Sequence, residues 1–483
     1  MRALSTIAGV LLTLAAATTE AATYYVDQTA GSDSNSGTSA GSPWKNSPGM
    51  AAYAGSGTLR PGDTVYFDSA DTWLLTGGQG LWVVGGVTYL GDSWGTGVRA
   101  TLRANANLDA GVVRFRDNAT FPTIVKGFDV DANHTVSTGV DFGHRFPALL
   151  TGAVKRVENL IVRNVWSQSS LDQYKYGIII SNFGGSSGNV SNVEILSCVV
   201  HDISRTGIAL YPGDDNANNK ISNITVRGNE TYNTGQDSGT TGPGIMTKGN
   251  VQNATIEYNS IHDAGIAGFY VNTNEGSHYG FGPTNIHFRY NIVRTENVYG
   301  GIRIADAFGS GDPKDVKIYG NIIYSTTGKA GFLIDTDFDN TNSILVYNNT
   351  FYNAPVTINN STATFSTFEF KNNIVYRPSG TAITGASHFT ASSNNLTTNP
   401  SFKNASSLPT GFVGTFGVNL APSTDGLSLL TGSPAIDAGV SLGSAYGGSI
   451  NSVPRPPGSG WDIGAYEGGG APAAPTNLRI STS

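Results

Sequence analysis

Five residues in the middle of the chain have the types to do chemistry together: Tyr211, Lys248, Tyr270, Asn272 and Arg303. A lysine can take a proton, an arginine can neutralise a carboxylate, and a tyrosine can pass a proton to a departing oxygen. Those are the needs of a β-elimination that cleaves a uronate-containing polymer. In that assignment Lys248 is the base, Arg303 the carboxylate partner and Tyr211, or else Tyr270 or Tyr279, the proton donor. Tyr270, Asn272 and Tyr279 hold the sugar, since aromatic faces stack on sugar rings. The blander reading of Lys248 is a solvated surface lysine. The chemistry is possible only if the fold lays these residues along one face.

Other candidates are weaker. Asp214 and Asp215, with Asp237 from a neighbouring turn, carry oxygen ligands suited to calcium. They are equally suited to shaping turns. His201-Asp202 and His262-Asp263 look catalytic in isolation, but they fill the slot held elsewhere by Tyr232-Asn233 and Tyr352-Asn353, which makes them turn structure. Asp306 and Asp335 form a carboxylate pair of the kind a glycoside hydrolase needs. The run around Asp33 reads as a turn.

The elements that must position these residues are repeats. A short phrase of apolar residues ending in Asn recurs as IVRNV, ILSCVV, TVRGNE, TIEYNS, HFRYNI, KIYGNI, LVYNNT, EFKNNI and ASSNNL. The recurring position is Asn164, Cys198, Asn229, Asn259, Asn291, Asn321, Asn349, Asn373 and Asn395, at intervals of 22 to 34 residues. A period of this size marks stacked coils, and the alternation inside each phrase is that of strands. Stacking would put each Asn amide on the next, where it can satisfy turn backbone. Cys198, in the same row, is expected to be buried and inert.

A second phrase follows, a glycine leading an alternating strand: GIIIS from Gly177, GIALY from Gly207, GIMTK from Gly244, GFYVN from Gly268, GIRIA from Gly301 and GFLID from Gly331. Successive strand side chains face opposite sides. The apolar set Ile178, Ile208, Ile245, Phe269, Ile302 and Phe332 therefore points inward, with Ile180, Leu210, Thr247, Val271, Ile304 and Ile334. Tyr211, Lys248 and Asn272 then share one outer row, and Tyr270 and Arg303 the row beside it. Lys155 lies far from this ribbon and suggests itself as a control position.

These repeats resemble the secreted right-handed parallel β-helix, or pectin-lyase-like, superfamily. YYVDQTAGSDSNSGT from Tyr24, then SPW and LRPGDTVYF, is similar to the start of many such bacterial proteins. SPAIDAG from Ser433 and RPPGSGWDIGAYE ending at Glu467 resemble the closing segment of choice-of-anchor-type members. The resemblance implies an all-β, single-stranded right-handed parallel β-helix, a fold that hosts lyases, hydrolases, epimerases and adhesins. GIMTKGN around Lys248 is similar to the lysine strand of alginate and chondroitin lyases, which use a lysine base, an arginine and often calcium. Calcium is therefore the implied cofactor, and no organic cofactor is expected. The pattern departs in two places. Arg303 lies two coils beyond Lys248 rather than one, and Thr241 and Pro243 stand where acidic calcium ligands belong.

Only 13% of the 483 residues are charged, 62 are glycine, and the net charge is −7. That composition suits many turns and few helices and argues against nucleic acid. Arg2, the apolar run 3–17, Thr19 and Ala21 read as a signal peptide over residues 1–21. No stretch reads as a membrane span. The expected organisation is a β-helix over 22–395, a capping region over 396–467 and a flexible tail over 468–483. The expected setting is secreted, cell-surface or periplasmic, and the expected partner of this monomer is a polysaccharide, an anionic one if Lys248 and Arg303 meet it. Three functions stay open: polysaccharide lyase, glycoside hydrolase, and non-catalytic surface or matrix binder.

Overall fold

The computed structural model describes residues 20–109, 111–143, 150–166, 175–182, 189–213, 219–236, 242–272, 282–297, 299–305, 313–334, 343–359, 365–456 and 460–468. Among them the strands form three long parallel sheets, here called A, B and C, of 13, 11 and 11 strands. One coil passes through each sheet in turn. Lys220–Arg227 lies in sheet A, Glu230–Thr234 in B and Ile245–Lys248 in C, and Val251–Glu257 returns to A beside its starting strand. Adjacent strands of each long sheet are thus one coil apart in sequence. The chain is a right-handed parallel β-helix, the hand that parallel crossovers take.

The alternation read from the glycine phrases is the register of sheet C. All twelve residues of the inward set are fully buried. Phe269 stacks on Phe288 from sheet A inside the coil, with ring centroids 4.2 Å apart. The leading glycines stack as well. A methyl group on Gly177 would sit 2.6 Å from the carbonyl oxygen of Gly207, and one on Gly207 2.6 Å from that of Gly244. Any side chain there would force the coils apart.

The turn from sheet A to sheet B is the sharpest, and the asparagine row holds it. One residue takes a left-handed conformation, as Gly228, Tyr258, Tyr290 and Asn348 do, and Asn follows. The backbone N–H of each ladder residue donates to the Oδ1 of the next, from Cys198→Asn229 (2.9 Å) to Asn373→Asn395 (2.9 Å). Each Nδ2 reaches back to a strand carbonyl one coil earlier, as Asn259 does to Val226 at 3.0 Å. Cys198 is buried, and burial pushes its thiol up to about 12, so it is inert at neutral pH. Asn164 does not belong to this row. Ile161 pairs with Val199, which puts Leu160 in the slot beside Cys198. Asn164 is instead a left-handed residue in sheet B, and its Nδ2 donates to Asp131 at 2.9 Å.

Lys155 is not a surface lysine. It takes an inward slot of sheet A and is 2% exposed. Its Nζ donates to the Leu150 carbonyl at 2.7 Å, and burial pulls its ammonium down to about 8. Alanine there would test the core rather than serve as a control.

At the N-terminal end, Trp44 packs into the core and stacks on Tyr24 at 4.5 Å. Asp33 holds the preceding loop by accepting from the N–H groups of Asn46 and Ala54. After the last sheet A strand, Ala391–Ser393, the chain runs back along the outside of the A–B turn. Phe402, Leu427, Ile450, Ile463 and Tyr466 cover Tyr290, Ile292, Tyr319 and Ile322 in a second apolar cluster. Arg455 anchors this segment. It is buried, pairs with Glu467 at 2.6 Å, and donates to the carbonyls of Asp462 and Gly464. Among the described residues no helix is long and apolar enough to cross a membrane.

Asn291 carries the clearest energetic test. Its Nδ2 donates to the Ile256 carbonyl and to Asn321, while its Oδ1 accepts from Asn259. Asn291→Ala strands several buried polar groups, each worth roughly 1–3 kcal/mol. Guanidinium unfolding is expected to show a loss of about 3 kcal/mol. A loss below about 1 kcal/mol would mean the ladder is dispensable.

Candidate functional site

Sheet C places the five residues as rows. Met246 pairs with Tyr270, and Tyr270 with Arg303. Lys248 pairs with Asn272, and Tyr211 continues the same row one coil earlier, its N–H bonded to the Ile180 carbonyl. The Lys248 Nζ lies 4.6 Å from the centroid of the Tyr211 ring. The Arg303 guanidinium lies 5.1 Å from the Tyr270 ring centroid and 4.4 Å from that of Tyr299. Each cation thus sits over an aromatic face, a contact worth about 2 kcal/mol once water is excluded.

The ribbon is not an open groove. Tyr211 is 2% exposed and Lys248 is 6% exposed. Both face away from the coil interior, yet with Tyr176, Ile179, Met246, Ile266 and Tyr270 the tyrosine belongs to a separate apolar cluster on the outer face of sheet C. Outward orientation on a strand is decided by the pleat; exposure is decided by what packs over it. Asn272 is 4% exposed, and its Oδ1 has no hydrogen-bond partner. An orphaned acceptor in a dry site is costly, and a ligand hydroxyl would satisfy it.

Tyr279, Asp214, Asp215 and Asp237 lie outside the described residues, as do Asp306 and Asp335. Among the described residues no three His, Cys, Asp or Glu side chains are grouped to hold a metal ion. The described part of the ribbon supplies lysine, arginine, tyrosine and asparagine, a donor set that does not suit calcium.

The sequence alone does not reveal how far the ribbon continues toward the N-terminus. In the row of Tyr270 and Arg303, Ile179 pairs with Asp141, Asp141 with Arg114 and Arg114 with Trp82. Arg114 and Asp141 are buried 3.9 Å apart, and the guanidiniums of Arg114 and Arg116 lie 5.3 and 4.6 Å from the Trp82 ring.

The His-Asp pairs lie on the outer face of sheet B, in register with tyrosines as their shared slot implies. His201, Tyr232 and His262 stack face to face, with centroids 4.9 and 5.1 Å apart. His262 bonds Asp263 at 2.8 Å and Glu230 at 3.2 Å, and Arg294 pairs with Asp263. A space of about 60 Å³ lies beside His262, Arg294 and Tyr324, and Asp263 and Glu230 hold that histidine in the stack.

No protein-family profile and no curated protein matches the chain. Its course is similar to that of several solved structures. Pectate lyase Pel9A is 18% identical, covering 93% of this chain and 97% of that one, with a TM-score of 0.41. XylC in complex with xylose is 10% identical, covering 92% and 98%, at 0.47. The lacto-N-biosidase of Eubacterium ramulus is 15% identical, covering 78% and 67%, at 0.43. At these values the likeness decides nothing about the site.

The histidine stack makes stability depend on pH. Burial works against protonating His262, but the hydrogen bonds and charges of Glu230 and Asp263 outweigh it and raise its pKa above 6.5. A folded pKa above the unfolded one means stabilisation that is complete below the unfolded value and lost as pH rises through the folded value. Compared with His262→Phe, the wild type should therefore gain most in Tm near about pH 5.5, with the gain shrinking by about pH 8.5. An equal difference at both pH values would show that the ion pairs contribute nothing.

Proposed function

We propose that the protein is an exported, carbohydrate-active β-helix protein that cleaves a uronate-containing polysaccharide by β-elimination on the outer ribbon of sheet C. The observation that carries this reading is the placement of Lys248 over Tyr211 in one row, with the unpartnered Asn272 oxygen beside them and Arg303 in the neighbouring row. Arg303 pairs the uronate carboxylate. The Lys248 Nζ takes the proton on the carbon bearing that carboxylate, and the electron pair of that C–H bond becomes the new double bond. The bond to the glycosidic oxygen breaks, and Tyr211 protonates the departing oxygen. Asn272 and Tyr270 position the sugar.

The shielding of the ribbon has two consequences. Excluding water strengthens each charge–charge contact with the substrate. It also requires the ribbon to open before a polymer can reach Lys248. That requirement favours a second reading, a non-catalytic polysaccharide binder that uses more exposed surface.

One screen separates them. Digests of polygalacturonate, alginate, chondroitin and neutral polysaccharides are followed by ultraviolet absorbance and by reducing ends. A lyase yields unsaturated, absorbing ends; a hydrolase yields reducing ends alone; a binder yields neither. Lys248→Ala and Arg303→Ala are each expected to lower turnover by about 100-fold or more with the fold intact. The surface variant Lys403→Ala should leave it unchanged. Full activity in both ribbon variants would place the chemistry elsewhere.

A further inference from the structure

A cavity of about 720 Å³ opens away from sheet C, where the chain after residue 395 runs back over the A–B turn. On the coil side it is lined by Glu158, Arg227, Glu230 and Tyr258, and on the other by Phe412 and Phe416. The two sides are tied together. Ser260 Oγ donates to the Thr410 carbonyl at 2.7 Å, and Thr410 N–H donates to Ser423 Oγ at 3.0 Å. Phe412 and Ala421–Pro422 form a short antiparallel ladder at its mouth.

Three aromatic rings meet there. Tyr258 stands edge-on to Phe412 and Phe416, with centroids 5.8 and 5.4 Å away. The Arg227 guanidinium covers Phe416 at 4.2 Å. Phe416 nevertheless remains 47% exposed, unusual for a large apolar side chain held so firmly. Polar groups surround the rings. Volume and lining fall within the usual small-molecule range of roughly 300–1,000 Å³, with an apolar wall and a few placed polar groups.

The charges select the ligand class. Arg227 is already committed to the buried Glu257 at 2.6 Å, and Arg289 shares that carboxylate. Glu158 is met by Lys126 at 2.9 Å and by Arg156 at 3.8 Å. Glu230 accepts from His262, and that hydrogen bond holds its carboxyl below the usual range. The charges of the lining are thus already paired: no free cation is offered to a uronate, while the carboxylate oxygens can still accept from hydroxyl donors.

We propose that this cleft is a second carbohydrate site, one that binds a short segment of neutral polysaccharide, with sugar rings on Phe416 and Tyr258 and hydroxyls on Glu230. It differs from the sheet C ribbon in place and in having its lining charges already paired. It would hold the protein on a neutral polymer, or on neutral stretches of a mixed one, whether or not Lys248 catalyses.

The test is affinity electrophoresis in gels containing xylan, galactan, galactomannan or mixed-linkage glucan, with polygalacturonate as the anionic comparison. At least one neutral polymer should retard the wild type. Phe416→Ala should weaken that binding by about tenfold or more, and Phe416→Tyr should restore it. Lys248→Ala should bind normally, which separates this site from the ribbon. Because Phe416 is half exposed, its variants are expected to fold, and circular dichroism checks this. The proposal is overturned if no neutral polymer retards the protein, if Phe416→Ala is retarded as strongly as the wild type, or if the loss follows Lys248→Ala instead.

Discussion

A parallel coil must turn sharply three times and stack on itself at about 4.8 Å, and at each turn the backbone leaves donors and acceptors that water cannot reach. The asparagine ladder meets this demand at the A–B turn. Its amides join backbone and side chains from Cys198 to Asn395 in one continuous hydrogen-bonded row. Because a buried asparagine satisfies both the coil before it and the coil after it, register at that turn is set coil by coil. Everything else inherits that register, including the glycines that let strands of sheet C approach and the inward apolar rows.

Stacked register turns each slot of the repeat into a stripe of related chemistry. Sheet C has a partly buried stripe, with Lys248 and Arg303 over tyrosines and Trp82 against two arginines farther along. Sheet B has a wetter one, where His201, Tyr232 and His262 stack and Glu230 and Asp263 bond His262. Catalysis needs the first kind of setting, because a base and a cation act most strongly where water is excluded. The second kind adds to the stack's stability and makes it sensitive to pH.

The segment after residue 395 changes the accessible surface of the solenoid. By covering Tyr290, Ile292, Tyr319 and Ile322 it buries outward positions of sheet B and the A–B turn. By arching over Tyr258 and Arg227 it creates a concave site on a scaffold whose own faces are nearly flat. Its anchor is the buried pair of Arg455 with Glu467. The pair's stability contribution rests on complete hydrogen bonding, since a buried charge left alone would cost several kcal/mol.

Short-range pattern was enough to read the coil. Alternation around each glycine, a matter of residues a few positions apart, specified the twelve inward side chains, and the recurrence of asparagine once per coil specified the ladder and the inert burial of Cys198. The rows that join Lys248 to Tyr211 and Arg303 to Tyr270 followed from the same register. Asn164 was misplaced because a left-handed asparagine in sheet B has the same local neighbours as a ladder asparagine; only the pairing of Ile161 with Val199 separates them. The burial of Lys155 followed from its inward slot beside Leu150, which no repeat phrase announces. Whether Phe416 meets Tyr258 depends on a segment that returns from more than a hundred residues away. Local alternation tells a side chain which way to point, and only the tertiary packing decides what it will find there.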